Sequence, residues 1–340
     1  MTYELHEMLR HNGLQTHIFS NQSVDHEQVV AHKFTRIFKV PVSFSIIGTI
    51  LRMKVHKKLL LHLPNPFALL LCGIRPSRFK VHIIWHAPAR SNFILTRINE
   101  LSYYIAKKNI EEIIVPYSGH LPTLPKSWEG IKTRILKFPI DKSVQNAAEK
   151  TIEKRKTEKY FKIIIIGRLV DYKNHELTID AVCDLMRQGV KIKVDIVGTG
   201  PKYKELKDYC QLKKLENNVH FWGAISNEKK HELLQKSDCL TLVSKDNREM
   251  LGMVQYEAFA NAIPVIVTDV DCSSVASLAR ESGGAIVIAN GSKNELISAI
   301  RCLQENKDLR ILYGRKGQDY IRTSFNHKLI KSGWENVLSD

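Results

Sequence analysis

The chain reads FKIIII at residues 161–166 and continues with GRLVDYKN at residues 167–174. A short, almost unbroken run of isoleucine is typical of a strand that is buried on both faces of a parallel sheet. A helical pattern follows over residues 175–188 and stops at Gly189, where a glycine favours the end of a helix. This strand–loop–helix unit predicts an α/β domain.

The same unit repeats through residues 161–316. Helical patterns separate five further predicted strands, at residues 193–197, 219–222, 239–243, 264–268 and 285–288. Ser226 and the capping box of Ser292 and Glu295 mark the starts of two of the helices. Six strands that alternate with helices predict a doubly wound, Rossmann-like domain.

Residues 1–140 follow this pattern less regularly and predict a second, N-terminal Rossmann-like domain. A helix is predicted at residues 3–12, and strands are predicted at residues 15–20, 59–62, 80–85, 112–115 and 134–138. The charged segment 141–160 predicts a linker or a surface helix between the domains. The last segment, 317–340, predicts a C-terminal helix.

The composition is that of a soluble globular protein. The 340 residues are 44% hydrophobic and 25% charged, which is enough for two domains of ordinary size. The sequence contains no apolar run long enough to span a membrane and begins MTYELHEMLR, without the apolar core of a signal peptide. Six scattered cysteines form no C-x-x-C pair, so we expect a cytoplasmic protein with reduced thiols.

The net charge of +16 is concentrated in the first half, where residues 1–150 hold 21 Lys and Arg against 10 Asp and Glu. A basic half can face nucleic acid, an anionic membrane surface or a phosphorylated lipid. No nucleic-acid recognition motif accompanies the charge, so we expect no nucleic acid as a partner. Residues 51–63 mix four cations with apolar residues, which fits either a helix on a membrane interface or a helix that leads into a buried strand.

Two carboxylates, Glu249 and Glu257, stand eight positions apart around a loop and the start of a predicted helix. One carboxylate can accept hydrogen bonds from the hydroxyls of a sugar, and the other from the hydroxyls of a ribose. Backbone N–H groups of the loop and of the helix N-terminus can bind a diphosphate. This arrangement favours a site for a nucleotide sugar.

Two cations, Arg168 and Lys173, lie five positions apart on the loop after the first strand of the C-terminal domain. Ligands of α/β folds bind at this edge of the sheet. The fork of an arginine and the point charge of a lysine can together neutralise a departing diphosphate. After the next strand, Gly198 and Gly200 allow a close approach of the backbone to a ligand.

These motifs resemble glycosyltransferase family 4, the retaining group 1 glycosyltransferases of the GT-B fold. The matching residues are the E-x7-E pair Glu249 and Glu257 and the G-R-x-x-x-x-K-N run at residues 167–174. The resemblance covers most of the chain and implies two Rossmann-like domains that face each other across a cleft. It also implies transfer of a hexose-type sugar from a UDP- or GDP-linked donor, which serves as a substrate, with no cofactor and no metal.

The resemblance assigns roles to single residues. His86, after a predicted strand, matches the histidine near the reaction centre, and Arg90 is placed to help hold an anionic acceptor phosphate. Residues 222–226 match a loop that lines the nucleobase pocket. The implied catalytic residues are His86, Arg168, Lys173 and Glu249. The implied donor-binding residues are Arg168, Lys173, Gly198, Gly200, Ile225, Glu249, Met250, Leu251, Gly252, Met253 and Glu257.

The resemblance is to enzymes of bacterial surface polysaccharides, such as O-antigen or capsule. It implies a lipid-linked glycan acceptor and peripheral contact with the anionic inner face of the cell membrane. Three departures stand out. The family's first strand and Gly-rich loop have no counterpart here, Met250 replaces a common glycine, and Cys272-Ser273-Ser274 replaces a Gly-rich stretch.

Two other functions fit the same residues. A nucleotide-sugar epimerase or hydrolase on this fold would convert the donor without an acceptor, and a truncated partner subunit would bind without catalysis. Asp269-Val270-Asp271 mimics the D-x-D metal motif of another glycosyltransferase fold. It follows a strand inside a Rossmann pattern, so we predict no metal site there.

Overall fold

The computed structural model describes residues 57–63, 69–70, 73, 79–86, 93–149 and 159–339, together with four short strands nearer the N-terminus. These strands are β1 (Ile18–Ser20), β2 (Val29–Ala31), β3 (Thr35–Ile37) and β4 (Val40–Val42). The chain divides into two compact units. The first unit comprises Met1–Pro139 and His327–Asp340, and the second comprises Ile140–Asn326.

The first unit contains a four-stranded parallel sheet in the order β5-β6-β7-β8. Its strands are β5 (Lys57–Leu63), β6 (Phe79–Trp85), β7 (Ile110–Val115) and β8 (Thr133–Ile135), and helix α1 (Phe93–Ala106) connects β6 to β7. The alternate residues Ile83 and Trp85 are fully buried on one side with Ile113 of β7. The predicted strands of this half are therefore present, with ends shifted by a few residues.

Residues 57–63 form strand β5, so the buried strand predicted at residues 59–62 is present, and an interfacial helix over the whole of residues 51–63 is wrong. Strand β5 pairs with β6 along its whole length, from Lys57 opposite Phe79 to Leu63 opposite Trp85. An apolar run such as LLLHL suits a strand covered by a neighbouring strand, and the sequence alone does not reveal that neighbour. Residues 51–56, the predicted helix at residues 3–12 and Arg90 lie outside the described residues.

The second unit contains a six-stranded parallel sheet in the order β11-β10-β9-β12-β13-β14. Its strands are β9 (Phe161–Ile166), β10 (Ile192–Val197), β11 (Val219–Gly223), β12 (Cys239–Leu242), β13 (Val265–Asp269) and β14 (Ala285–Ala289). All six predicted strands are present. The order of the strands reverses between β9 and β12, and this topological switch point is where doubly wound sheets bind ligands.

Helices cover the faces of this sheet, and the isoleucines Ile163 and Ile164 of β9 are fully buried. The helices are α2 (Lys142–Glu149), α3 (His175–Arg187), α4 (Tyr203–Leu212), α5 (Asn227–Lys236), α6 (Val254–Ala260), α7 (Val275–Ser282), α8 (Lys293–Glu305) and α9 (Lys307–Ser324). Helix α2 occupies the first part of the predicted linker or surface helix, and its Val144 and Ala148 are buried.

Two predicted caps start their helices as expected. Ser226 Oγ accepts a hydrogen bond from Lys229 N, and Ser292 Oγ accepts one from Glu295 N. The second half of the capping box differs from the prediction. The Glu295 carboxylate accepts from the N–H of Ala289 at the end of β14, 2.7 Å away, and so joins the helix to the preceding strand.

The C-terminal segment is not one helix. Helix α9 ends at Ser324, and helix α10 (His327–Ser339) begins three residues later within the first unit. Phe325, buried at the break, packs against Tyr256 with ring centroids 4.8 Å apart. Within the described part of the chain, no helix is both long and apolar enough to cross a membrane.

Candidate active site

The predicted donor-binding residues of the second unit all follow the carboxyl ends of parallel strands or begin the helix after such a loop. Residues 167–174 follow β9, residues 198–202 follow β10, and residues 243–253 follow β12. Because the six strands are parallel, these loops lie at one edge of the sheet. The fold therefore brings together residues that lie up to 89 positions apart in the sequence.

The backbone of the loop after β9 directs Lys173 back over the end of the strand. Gly167 has a φ of +153°, and a Cβ there would lie 3.2 Å from Lys173 Nζ. Asn174, which ends the loop, has a φ of +55°, a left-handed conformation that asparagine tolerates better than most residues. Gly167 and Asn174 thus give the loop the backbone conformation that places Lys173.

Lys173 and Glu249 form an ion pair between the loop after β9 and the loop after β12. Their side chains are only 10% and 13% exposed. The pair spans the topological switch point, because β9 and β12 are the neighbouring strands at which the strand order reverses. The predicted diphosphate cation and the predicted sugar-binding carboxylate therefore belong to one site.

Tyr172 organises further cations beside this pair. Arg168 Nη2 donates to the Tyr172 hydroxyl over 3.3 Å, and the Arg248 guanidinium lies 4.8 Å from the centre of its ring. Lys245 Nζ lies 2.8 Å from Asp171, and this hydrogen bond holds the pKa of the Asp171 carboxyl below its usual range. Neither Arg248 nor Lys245 was predicted as a site residue. They are the basic residues of the loop that leads to Glu249.

The loop between the two glutamates requires its glycine. Gly252 has a φ of +63°, and a Cβ there would lie 2.6 Å from Leu242 Cδ2. Two hydrogen bonds hold the start of the loop, one from Ser273 Oγ to the Glu249 carbonyl (2.5 Å) and one from Ser274 N to the Met250 carbonyl (2.7 Å). The serines that replace the family's Gly-rich stretch thus fix the backbone around Glu249.

Glu257 lies on helix α6 and faces a lysine that the sequence analysis missed. Lys230 Nζ, from helix α5, lies 2.9 Å from Glu257 Oε2, and the two side chains are 19% and 20% exposed. One sequence signal was available. Lys230 stands three and four positions before the buried residues Leu233 and Leu234, so it shares the inward stripe of α5.

Gly198 and Gly200 bring neighbouring backbones together. A Cβ at Gly198 would overlap the carbonyl oxygen of Gly167, and a Cβ at Gly200 would overlap that of Leu169. Gly198 N also donates to the carbonyl of Gly223 over 2.8 Å. These glycines therefore hold the loops after β9, β10 and β11 side by side, next to the half-buried residue Ile225 of the predicted nucleobase loop.

The D-x-D-like segment has a structural partner. Asp269, at the end of β13, forms an ion pair with Arg280 of helix α7. Among the described residues, no group of three or more His, Cys, Asp or Glu side chains is arranged to hold a metal ion.

In the first unit, His86 lies directly after β6 and is half-buried beside a second histidine. Its Nε2 lies 2.8 Å from Nδ1 of His62, and the ring of Phe138 lies 5.5 Å away in a tilted arrangement. Burial, with smaller contributions from the charges of His62 and His120, lowers the pKa of His86 to about 3. The imidazole is therefore neutral near pH 7 and can both donate and accept hydrogen bonds.

The two neighbouring histidines were not predicted as site residues. Burial also lowers the pKa of His62 to about 4 and that of His120 to about 4. The sequence offered a signal for His62, because it ends a predicted strand just as His86 does, and the strands β5 and β6 are adjacent and parallel.

Comparison with known proteins identifies the family of the chain. The sequence profile described as "Glycosyl transferases group 1" matches residues 146–320, slightly more than half of the chain. This chain belongs to the group 1 glycosyltransferases. The predicted family membership is therefore confirmed.

Relatives of this group 1 glycosyltransferase come from archaea and bacteria. It is 25% identical over 278 residues to an uncharacterized glycosyltransferase of Methanocaldococcus jannaschii, covering 77% of this chain and 69% of the relative. It is 30% identical over 169 residues to the poly(glycerol-phosphate) alpha-glucosyltransferase of Bacillus subtilis, covering 50% of this chain and 23% of the relative. The chain thus spans less than a quarter of that second relative.

Solved structures confirm the predicted GT-B fold. Anabaena HepE, crystallised in complex with UDP, superposes with a TM-score of 0.70 at 17% identity, covering 87% of this chain and 81% of HepE. The two parallel sheets of the group 1 glycosyltransferase described above correspond to the two Rossmann-like domains of that fold.

Proposed function

We propose that this protein transfers a hexose-type sugar from a UDP- or GDP-linked donor to a glycan acceptor, with retention of the anomeric configuration. The observation that carries the proposal is the ion pair of Lys173 and Glu249 across the topological switch point of the second unit. A cation for the diphosphate and an acceptor for sugar hydroxyls lie side by side there, as transfer from a nucleotide sugar requires.

On the donor side, Arg168 and Lys173 bind the diphosphate and stabilise the negative charge that develops as the nucleotide leaves. These two fixed cations can do the work that a divalent metal does elsewhere, so we propose transfer that needs no metal or cofactor. Glu249 and the backbone of residues 250–253 bind the sugar. Glu257 binds the ribose, and the loops that contain Gly198, Gly200 and Ile225 border the base.

On the acceptor side, His86 is the proposed residue of the reaction centre. Its neutral ring can hydrogen-bond to the sugar or to the acceptor hydroxyl, and His62 holds one of its ring nitrogens. We propose a lipid-linked glycan of a cell-surface polysaccharide as the acceptor, with Arg90 near its phosphate. The name of the Bacillus relative supports a surface polymer, since it specifies poly(glycerol-phosphate).

The basic first half supports peripheral contact with the anionic inner face of the cell membrane, since residues 1–150 hold 21 Lys and Arg against 10 Asp and Glu. Electrostatic attraction of this kind weakens with salt. Binding to anionic vesicles that is lost as salt is raised would support the proposal. An absence of vesicle binding at low salt would overturn it.

The proposed function is tested by release of nucleotide diphosphate from a panel of UDP- and GDP-linked sugars. Each donor is incubated with and without a membrane extract as the acceptor source and with and without EDTA. Lys173→Ala and Glu257→Ala serve as site variants. We expect release from one donor that requires the extract, survives EDTA and falls in both variants. The anomeric configuration of the purified product, read by NMR, tests retention.

Each alternative function gives a different result in the same assay. Conversion or hydrolysis of the donor without the extract would indicate an epimerase or hydrolase. An absence of release from every donor, with protein that is folded, would contradict the proposed transfer and favour a non-catalytic partner.

A further inference from the structure

Lys230 lies between two segments with proposed roles in nucleoside binding. One is the loop that borders the base, and the other is helix α6, whose Glu257 binds the ribose. The backbone N–H of Lys230 donates to the carbonyl of Ser226 over 3.0 Å, so Lys230 stands one turn after the proposed nucleobase loop. Its side chain reaches Glu257, the proposed ribose carboxylate, with Nζ 2.9 Å from Oε2. The ammonium group therefore lies beside the proposed ribose site.

The contact uses one particular oxygen of the Glu257 carboxylate. Oε2 is buried from solvent and contacts Lys230 as an ion pair without a well-aligned hydrogen bond, while the side chain as a whole keeps 20% of its surface exposed. The other oxygen, Oε1, is thus the one left for a ligand. A carboxylate that contacts a cation through one oxygen can present the other oxygen as a hydrogen-bond acceptor.

The lysine is also partly buried, and its charge acts on a second carboxylate. Asp141 accepts hydrogen bonds from Ser143, and these bonds, together with a weaker contribution from the charge of Lys230, lower the pKa of Asp141. Lys230 itself is only 19% exposed and forms its ion pair with Glu257. An ammonium group fixed in this way loses little further freedom when a ligand binds.

We propose that Lys230 is a positioning residue for the ribose of the donor, which acts by orienting the Glu257 carboxylate towards the ribose hydroxyls. This inference rests on the proposed function and adds to it a determinant of ribonucleotide recognition on helix α5. Lys230 should raise nucleotide affinity only when the Glu257 carboxylate is present. It should not change the affinity for a nucleotide that lacks ribose hydroxyls.

A purely structural role predicts something different. The pair also links helices α5 and α6, as does the next residue, since His231 Nδ1 lies 3.2 Å from Asn261 Nδ2. A link between helices would lower stability when removed, but it would weaken binding of all nucleotides alike. If Lys230 positions Glu257, its removal should reduce the preference for a nucleotide with a ribose over one whose sugar lacks the hydroxyls.

The test is calorimetric titration of the full chain with UDP, GDP and their 2′,3′-dideoxy analogues. Lys230→Met removes the charge, Lys230→Arg retains it, and Lys236→Met, at the far end of the same helix, is the matched control. We expect Lys230→Met to weaken binding of the preferred ribonucleotide by about tenfold, because it removes a charge-assisted contact. We expect a change of less than about twofold for the dideoxy analogue, for Lys236→Met and for Lys230→Met in a Glu257→Gln protein.

Steady-state kinetics give a second readout. Lys230→Met should raise the KM for the donor with little change in kcat, since Lys230 does not touch the proposed diphosphate or sugar, and Lys230→Arg should restore most of the affinity. If Lys230→Met does not fold, Lys230→Gln carries the same test. Equal losses for ribonucleotide and dideoxy analogue would overturn the inference alone. Wild-type protein that binds neither nucleotide would overturn the proposed function as well.

Discussion

Lys173 and Glu249 are ion-paired although 75 residues separate them in the chain. Each follows the carboxyl end of a parallel strand, and the two strands are neighbours at the point where the strand order reverses. Two features of the sequence that were interpreted separately, a basic loop and a carboxylate pair, thus form one arrangement. The cation is suited to a diphosphate and the carboxylate to the hydroxyls of a sugar, and both side chains are largely buried.

The Lys173→Ala variant should lose kcat/KM for the donor by about 10²- to 10³-fold, because it removes a fixed charge at the departing diphosphate. Lys293→Ala is the matched control, since Lys293 also pairs with a carboxylate, Asp184, over 2.7 Å on the surface of the same unit. Adding Glu249→Gln to Lys173→Ala should cost less than the product of the two single effects, because paired residues are not independent. Independent, multiplicative losses would argue against a shared site.

The hydroxyl of Ser273 should matter for activity without touching the substrate. The Ser273→Ala variant removes the 2.5 Å hydrogen bond to the Glu249 carbonyl and should lower kcat/KM by about tenfold through looser positioning of Glu249. Ser282→Ala is the control, because Ser282 is also buried and donates to a backbone carbonyl, that of Ala279, over 2.9 Å. Equal effects of the two changes on kcat/KM would contradict the positioning role of Ser273.

Gly198 should tolerate no side chain. The Gly198→Ala variant places a methyl group against the Gly167 carbonyl at a φ of +137°, and we expect a loss of about 3 kcal/mol or more in the free energy of unfolding. Gly189→Ala shares a left-handed φ, +87°, but meets no atom within 4 Å, so it should cost only about 1–2 kcal/mol. Denaturant titration of both variants measures the difference. Similar losses in the two variants would show that position 198 requires glycine because of its backbone conformation alone. They would contradict a requirement set by the close approach of the loops.

Stability should fall in acid because of buried histidines. His120 has a pKa of about 4 in the folded protein, against an ordinary value of 6.5, so the unfolded chain takes up its proton first. The stabilising contribution is complete above about pH 6.5 and is lost as the pH falls towards about 4. The His120→Gln variant should flatten the pH dependence of the unfolding free energy in that window by about 1 kcal/mol per pH unit. His220→Gln, at an exposed position, is the control, and an unchanged slope in His120→Gln would refute this account.

The sheet of the second unit could be predicted strand by strand. Buried parallel strands such as residues 161–166 carry dense β-branched runs, and glycine, serine and proline mark their ends. The first unit was harder: a strand was predicted at residues 59–62, but Lys57 and Lys58, which begin it, also fit the end of an amphipathic helix. The break at Phe325 was missed because an aromatic residue that packs on Tyr256 leaves no local signal for the end of a helix.

The sequence predicted which residues belong to the site, but it did not predict which of them pair with each other. The sequence identified Lys173 and Glu249, since charged residues after buried strands stand out, but pairing across the sheet depends on the strand order. Lys230 was missed because a lysine on a helix usually faces solvent, and only the position of α6 reveals its carboxylate partner. His62 was not predicted as a site residue, because only the adjacency of β5 and β6 places it beside His86.

The most direct test of sugar transfer by this site follows a donor labelled in the sugar. The protein is incubated with labelled UDP- and GDP-sugars and a lipid-linked glycan fraction, and the label in the extracted glycan is counted for wild type, Lys173→Ala and Lys293→Ala. The proposed transfer predicts incorporation from one donor by wild type and Lys293→Ala, reduced by about 10²-fold or more in Lys173→Ala. Incorporation by Lys173→Ala at the wild-type rate would contradict it.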